Sequence, residues 1–335
     1  MRILFAGSPA IAIPALEAVV NLVLSGVCEL AGVLTNPDTP KGRHGAPEPT
    51  EIGQAVIALS SRFDDGKPSI PVLKREKLDG QARDAVAALK PDLLVSFAYG
   101  RIFGPRFLAL FPHGGINVHP SLLPKYRGPT PIQAAILHRD TETGITIQHL
   151  AREMDAGDIL AQETFPLTGR ETAAGLSDTA AQKGAALLIN VIQALARAET
   201  GGGGLEARPQ NPAEASYCSL ITREDGRLDW NAGAWDIDAR VRAFTPWPLC
   251  LTRHGENELY ILEGRPLEEA VPPTIPANAP PGTVLGIDKN RGILIQTGDG
   301  IFAAERLQYR TKKALEWRAF LNGAQDFIGS HLTER

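Results

Sequence analysis

The sequence predicts an α/β protein in two parts: a mostly parallel sheet flanked by helices, then a smaller all-β unit. Three observations carry this. Short β-branched runs alternate with helical patterns through the first half, four consecutive glycines interrupt the chain past its middle, and beyond about residue 223 short strands are broken by Gly and Pro. A chain of 335 residues also suits two domains better than one.

Residues 2–6 (RILFA), 30–34 (LAGVL), 93–97 (LLVSF) and 116–118 (INV) read as buried strands. Residues 14–24 and 81–89 carry Ala and Leu at helical spacing. Strands alternating with helices imply a parallel sheet covered on both faces, whose ligands bind beyond the carboxyl ends of the strands. Residues 144–150 and 159–167 alternate more strongly and read as antiparallel additions at an edge. A helical pattern over 173–198 closes the first domain, and Gly201–Gly204 cannot continue it. The first domain is therefore placed at 1–204, a polar, irregular linker at 205–223, and a second domain at 224–335. There a helix over 234–243 precedes short runs at 259–262, 282–285, 292–296 and 301–304, the pattern of a small barrel or sandwich.

Composition narrows the class. The chain is 43% hydrophobic and 21% charged, as in soluble globular proteins. No apolar run approaches the roughly 18 residues a membrane span needs, and the N-terminus reads as a strand rather than a signal peptide. Three scattered cysteines build neither a disulfide framework nor a zinc site, so a reducing cytoplasm is the expected setting. A net charge of −4 argues mildly against nucleic acid, although the distribution of charge matters more than its sum.

The chemistry concentrates at GGINVHPSLLPKYRGPTP, residues 114–131. Asn117 and His119 stand two apart at the end of a strand and so project to one face. An amide donor beside an imidazole suits a centre where a carbonyl oxygen becomes negative. The same pair would equally serve to cap strand-end backbone groups. Ser121, Leu122, Leu123 and Pro124 follow in a loop stiffened by two prolines, either the floor of a pocket for a flat heterocycle or a structural turn. Asp155 or Asp158, in the MDAGD connection, could orient the imidazole or simply be a solvated turn aspartate. No HExxH motif supports a metal, no GxSxG elbow makes Ser121 a nucleophile, and GSPA in the first βα turn lacks the glycines of a dinucleotide fingerprint.

Together, NVHPSLLPKYRG at 117–128, ETG at 142–144 and DAGD at 155–158 resemble the 10-formyltetrahydrofolate-dependent formyltransferase family. The opening FAGSP is similar to its first βα turn, though the phenylalanine usual a few residues later is absent. EDGRLDW at 224–230, RAFTPWP at 242–248 and TGDG at 297–300 extend the resemblance, to about residue 322. It implies a Rossmann-like formyltransferase domain and a C-terminal β-barrel of oligonucleotide-binding type. It also implies 10-formyltetrahydrofolate as formyl donor, no metal, a monomer and no membrane association. Asn117, His119 and Asp155 fall on the family's catalytic trio, and Ser121 to Pro124 on its folate signature. The pterin is expected against residues 97–100, with Phe97 and Tyr99. The second-half segments favour the branch that formylates methionyl-initiator-tRNA over the one that acts on amino sugars. Lys41 and Arg43, in a basic loop shorter than the family's, and Lys312 and Lys313 are the expected tRNA contacts. Near the latter pair, Arg310-Thr311 replaces the usual spacer, and Arg306 adds to the basic cluster.

Overall fold

A computed structural model describes residues 1–40, 45–62, 70–199, 201, 204–268 and 279–334. Lys41 and Arg43 lie outside the described residues. The chain divides into two compact units. The first comprises 1–131, 142–166 and 177–219, the second 132–141, 167–176 and 220–335.

In the first unit, β1 (Arg2–Gly7), α1 (Ile13–Leu24) and β2 (Glu29–Thr35) form a strand–helix–strand crossover. A two-stranded piece follows, β3 (Thr39–Pro40) with β4 (Pro47–Glu48), then α2 (Glu51–Ser60), β5 (Val72–Lys74) and α3 (Gly80–Ala88). Next come β6 (Leu93–Phe97), the short α4 (Pro105–Leu108) and β7 (Gly115–His119). The helix α5 (Pro131–Leu137) belongs almost wholly to the second unit; in the first, the strands β8 (Glu142–His149) and β9 (Ile159–Pro166) precede α6 (Ala173–Glu199), of which residues 177–199 are counted here. Local chemistry sets several boundaries. The Asp79 carboxylate accepts the N–H of Ala82 at 3.0 Å at the start of α3, and the Thr50 hydroxyl accepts that of Gly53 at 3.1 Å in α2.

The seven-stranded sheet runs β5-β2-β1-β6-β7-β8-β9. Pairing is parallel from β5 to β7, and β8 and β9 add antiparallel at one edge. The chain winds outward from β1 to β5 and restarts at β6 on the other side of β1. That reversal leaves a crevice beyond the carboxyl ends of the central strands, close to where β7 ends. Ile3, Leu4, Phe5, Leu93, Leu94 and Val95 have no exposed surface, which explains why β1 and β6 read as unbroken apolar runs. On one face Tyr99, Phe103, Phe107 and Phe111 stack in a column with ring centroids 5.3, 5.5 and 5.7 Å apart. On the other, Gly184 lets α6 approach β7 so closely that a Cβ there would meet Val118 Cγ1 at 2.9 Å.

The second unit holds α7 (Ala234–Phe244), β10 (Cys250–His254) and β11 (Asn257–Pro266). It continues with β12 (Val284–Asp288), β13 (Gly292–Gln296), β14 (Ile301–Tyr309), β15 (Leu315–Glu316), α8 (Trp317–Asn322) and β16 (Leu332–Thr333). Its antiparallel sheet runs β12-β13-β14-β11-β10-β16. Thr283 bridges His331 and Leu332 N–H donates to Gly282 O at 2.8 Å, so the two ends of the curled sheet meet as a small barrel. Two of the sequence motifs join here: Gly298 N–H donates to the carbonyls of Trp230 and Ala232, while the Trp230 indole N–H donates to Thr252 Oγ1 at 3.0 Å. No helix among the described residues is long and apolar enough to cross a membrane.

Candidate active site

Strand alternation places Asn117 and His119 on one face at the end of β7, with Val118 turned into the packing. Their cross-strand partners on β8 are Gln148 and Thr146, which therefore share that face. Asn117 is half-buried, and its side-chain amide makes no hydrogen bond among the described residues, leaving its donors uncommitted. His119 is only 4% exposed. Its Nε2 lies 2.9 Å from the carbonyl oxygen of Tyr126, which only accepts, so this nitrogen carries a proton. Nδ1 stands 3.7 Å from Asp155 Oδ2, beyond hydrogen-bond length.

Asp155 sits at φ +53, in a turn tightened by Gly157, where a Cβ would fall 1.9 Å from His149 O. Its carboxylate is anchored at both oxygens. Oδ1 accepts from Gln148 Nε2 at 3.0 Å and Oδ2 from the N–H of Gly128 at 2.8 Å. Asp158 is exposed, so geometry separates the two candidate acids: Asp155 faces the imidazole.

The loop after His119 is held from beneath. Thr146 Oγ1 donates to Ser121 O at 2.7 Å and accepts the N–H of Leu123 at 3.2 Å, while Gln162 Nε2 donates to Leu123 O at 3.0 Å. The Ser121 hydroxyl is fully buried and donates to Lys125 O at 2.5 Å. It has a structural partner rather than a base. Leu122 packs where Gly144 leaves room: a Cβ at 144 would lie 2.3 Å from Leu122 Cδ2. The glycine of the ETG motif thus shapes the loop. Phe97 and Tyr99 are each 1% exposed and turn their rings into the core, whereas Ala98 and Gly100, both at positive φ, are exposed at the strand end.

Sequence reasoning missed the contribution of residues 208–219. Arg208 pairs with Ile159, Arg127 N–H donates to Ser216 O at 2.8 Å, Cys218 N–H donates to Arg127 O at 2.8 Å, and Tyr126 N–H donates to Ser216 Oγ at 2.9 Å. The segment binds along the loop that carries Tyr126 and Gly128. No periodicity signals this, because apart from the single bridge to Ile159 the pairing is with a loop.

In the second unit, Arg306 pairs with Glu263 and Arg310 with Glu258. Lys312 and Lys313 are exposed and have no ion pair among the described residues. Lys312 lines an open groove of about 620 Å³ with Arg253, His254 and Tyr309.

A strand-end amide and imidazole, with an anchored carboxylate facing the imidazole, lie near the switch point of a doubly wound sheet, an arrangement suited to chemistry at a carbonyl-type centre. The chain matches the family described as Formyl transferase over residues 1–192 and its C-terminal domain over 220–325; it belongs to that formyl transferase family. It is 46% identical over 330 residues to the methionyl-tRNA formyltransferase of Treponema denticola, covering 98% of both chains. In fold it is similar to HypX from Aquifex aeolicus in complex with tetrahydrofolic acid, with a TM-score of 0.61 and 19% identity, spanning 98% of this chain and 48% of that larger one. It is likewise similar to the sugar 3N-formyltransferase WlaRD, with a TM-score of 0.61 and 18% identity over 93% of this chain and 99% of that one.

Proposed function

We infer that this enzyme transfers the formyl group of 10-formyltetrahydrofolate to the α-amino group of methionyl-initiator-tRNA. The observation that carries the chemistry is the uncommitted Asn117 amide beside His119, whose Nδ1 stands 3.7 Å from Asp155. The full-length likeness to a methionyl-tRNA formyltransferase carries the choice of acceptor. The neutral α-amine attacks the formyl carbon, the new C–N bond forms, and the bond from that carbon to N10 breaks. As the carbon becomes tetrahedral, charge grows on the formyl oxygen, and the amide of Asn117 and a protonated His119 donate to it. Asp155 holds His119 in orientation and helps order a water that carries the amine proton to N10.

In this reading Ser121 to Pro124 support the folate, and the pterin lies against the strand end at 97–100. The exposed backbone at Ala98 and Gly100 is the part available to it, since the rings of Phe97 and Tyr99 face inward. The unit beginning at 220 supplies tRNA contacts, with Lys312 and Lys313 as candidates. Lys41 and Arg43 remain candidates from the sequence. The enzyme acts as a cytoplasmic monomer. The division into a catalytic part to residue 204, a connection and a barrel from 224 follows the sequence reading.

The test is formyl transfer from 10-formyltetrahydrofolate with methionyl-initiator-tRNA and a nucleotide-linked amino sugar as alternative acceptors, at low and moderate salt. Formylation of the tRNA alone, weakening steeply with salt as phosphate contacts require, supports the reading. Transfer to the sugar alone overturns the acceptor.

A further inference from the structure

The segment after the long helix contributes more than a connection. Gln210 lies between the stretches matched by the two family domains, 1–192 and 220–325, yet its side chain is hydrogen-bonded into the candidate site. Its Oε1 accepts from Arg127 Nε at 3.1 Å and from Arg127 Nη2 at 2.8 Å. Its Nε2 faces three oxygens: Asp155 O at 2.8 Å, Gly157 O at 2.7 Å and Gln148 Oε1 at 3.1 Å. A guanidinium only donates and a backbone carbonyl only accepts, so the orientation of this amide is forced. It forces the next one too. With Gln148 Oε1 turned to Gln210, Gln148 Nε2 must face Asp155 Oδ1, where it lies at 3.0 Å.

The hydrogen bonds therefore run in one direction, from the Arg127 guanidinium through the amides of Gln210 and Gln148 to the Asp155 carboxylate. Arg127 is 4% exposed, and its side-chain hydrogen-bond partners among the described residues are neutral: Gln210 and the Tyr217 hydroxyl, at 3.2 Å from Nη1. A buried cation whose hydrogen bonds go to neutral acceptors polarises those acceptors, and aligned donors in a low-dielectric site reinforce one another. Gln210 also grips the backbone of the turn that holds Asp155 at φ +53, through the carbonyls of Asp155 and Gly157.

We propose that Gln210 is a positioning residue for formyl transfer: it links the buried Arg127 cation to Gln148 and fixes the Asp155 turn, so that the carboxylate is aimed at His119. This rests on the reading of Asp155 as a member of the catalytic trio. Gln210 touches neither substrate nor reacting atoms in this account. It acts through Asp155.

The experiment measures kcat and KM for 10-formyltetrahydrofolate and methionyl-initiator-tRNA in the full-length enzyme carrying Gln210→Met, Gln210→Glu, Asp155→Asn, and each Gln210 change combined with Asp155→Asn. Gln210→Glu keeps an acceptor for Arg127 at nearly constant volume but removes the donor to Asp155, Gly157 and Gln148. It remains informative if Gln210→Met folds poorly. Both single Gln210 variants are expected to lower kcat about 100-fold, the scale of a small misplacement of a catalytic group, with the folate KM changed less than about threefold. In the Asp155→Asn background the same changes are expected to lower kcat by less than about threefold further, because residues acting as one unit are not additive. Unchanged kcat in both single variants, or an equal loss with and without Asp155, overturns the proposal. If Asp155→Asn itself turns over normally, the trio reading falls and the proposal falls with it, an outcome distinct from the other two.

Discussion

His119 Nδ1 and Asp155 Oδ2 stand 3.7 Å apart, while the same Asp155 oxygen accepts the N–H of Gly128 at 2.8 Å. The acid is thus anchored by the backbone first and faces the imidazole second. Its position does not depend on the histidine, and the imidazole keeps Nδ1 free of a tight partner.

The uncommitted amide of Asn117 carries a specific expectation. Asn117→Ala should lower kcat about 100- to 1,000-fold, the usual effect of removing one donor to a developing oxyanion, while the folate KM moves little. Steady-state kinetics with varied 10-formyltetrahydrofolate checks this, and a change confined to KM would assign Asn117 to binding instead.

Gly128 illustrates a backbone requirement. It sits at φ +115, a Cβ there would lie 2.3 Å from Cys218 O, and its N–H holds Asp155. Gly128→Ala should lower unfolding free energy by about 1–3 kcal/mol, the cost of a residue held in a disfavoured conformation, and should lower kcat as well. Urea unfolding followed by circular dichroism, alongside kinetics, tests both parts. Loss of stability without loss of turnover would mean Asp155 does not need that anchor.

Much of this was legible in the sequence. The strands β1, β2, β6 and β7 and the helices α1, α3, α6 and α7 follow from apolar runs and helical spacing, and Asn117 and His119 from two polar residues spaced by two at a strand end. Asp155 needed the family resemblance, because spacing alone cannot choose between it and Asp158. Arg127 and Gln210 were not legible as partners. They are 83 residues apart, and hydrogen bonds between a loop and an irregular segment leave no repeating pattern. The short strand β5 and helix α5 lack enough turns or alternations to stand out.

The thiols should be slow to react. Burial pushes Cys250 up to about 12 and Cys28 up to about 11, and raises Cys218 as well. The thiolate is the nucleophile, so at pH 8 the folded enzyme should react slowly with a thiol–disulfide exchange reagent, and the unfolded chain should release all three equivalents quickly. A fast equivalent from Cys28 or Cys250 in the native state would contradict the burial of these two thiols.

Glu171 links stability to pH. Burial pushes its carboxyl up, but hydrogen bonds from the backbone and hydroxyl of Thr168 and from the N–H groups of Glu171 and Gly169 outweigh that and hold it below its ordinary value of 4.5. A lowered folded value means that the stabilisation is present above the ordinary glutamate range and is lost as pH falls through the lowered value. Glu171→Gln should therefore be less stable than the unaltered chain at neutral pH, with the gap closing in acid. Urea melts across that range test it; a gap that widens in acid would refute the sign.

The most direct measurement is the single-turnover rate of formyl transfer from 10-formyltetrahydrofolate to methionyl-initiator-tRNA, with the unaltered enzyme and His119→Ala each in excess. The account predicts formylated methionyl-tRNA from the unaltered enzyme. It also predicts a rate at least about 100-fold lower for the variant, with folate binding within about threefold. Equal rates would contradict the placement of the chemistry at the end of β7.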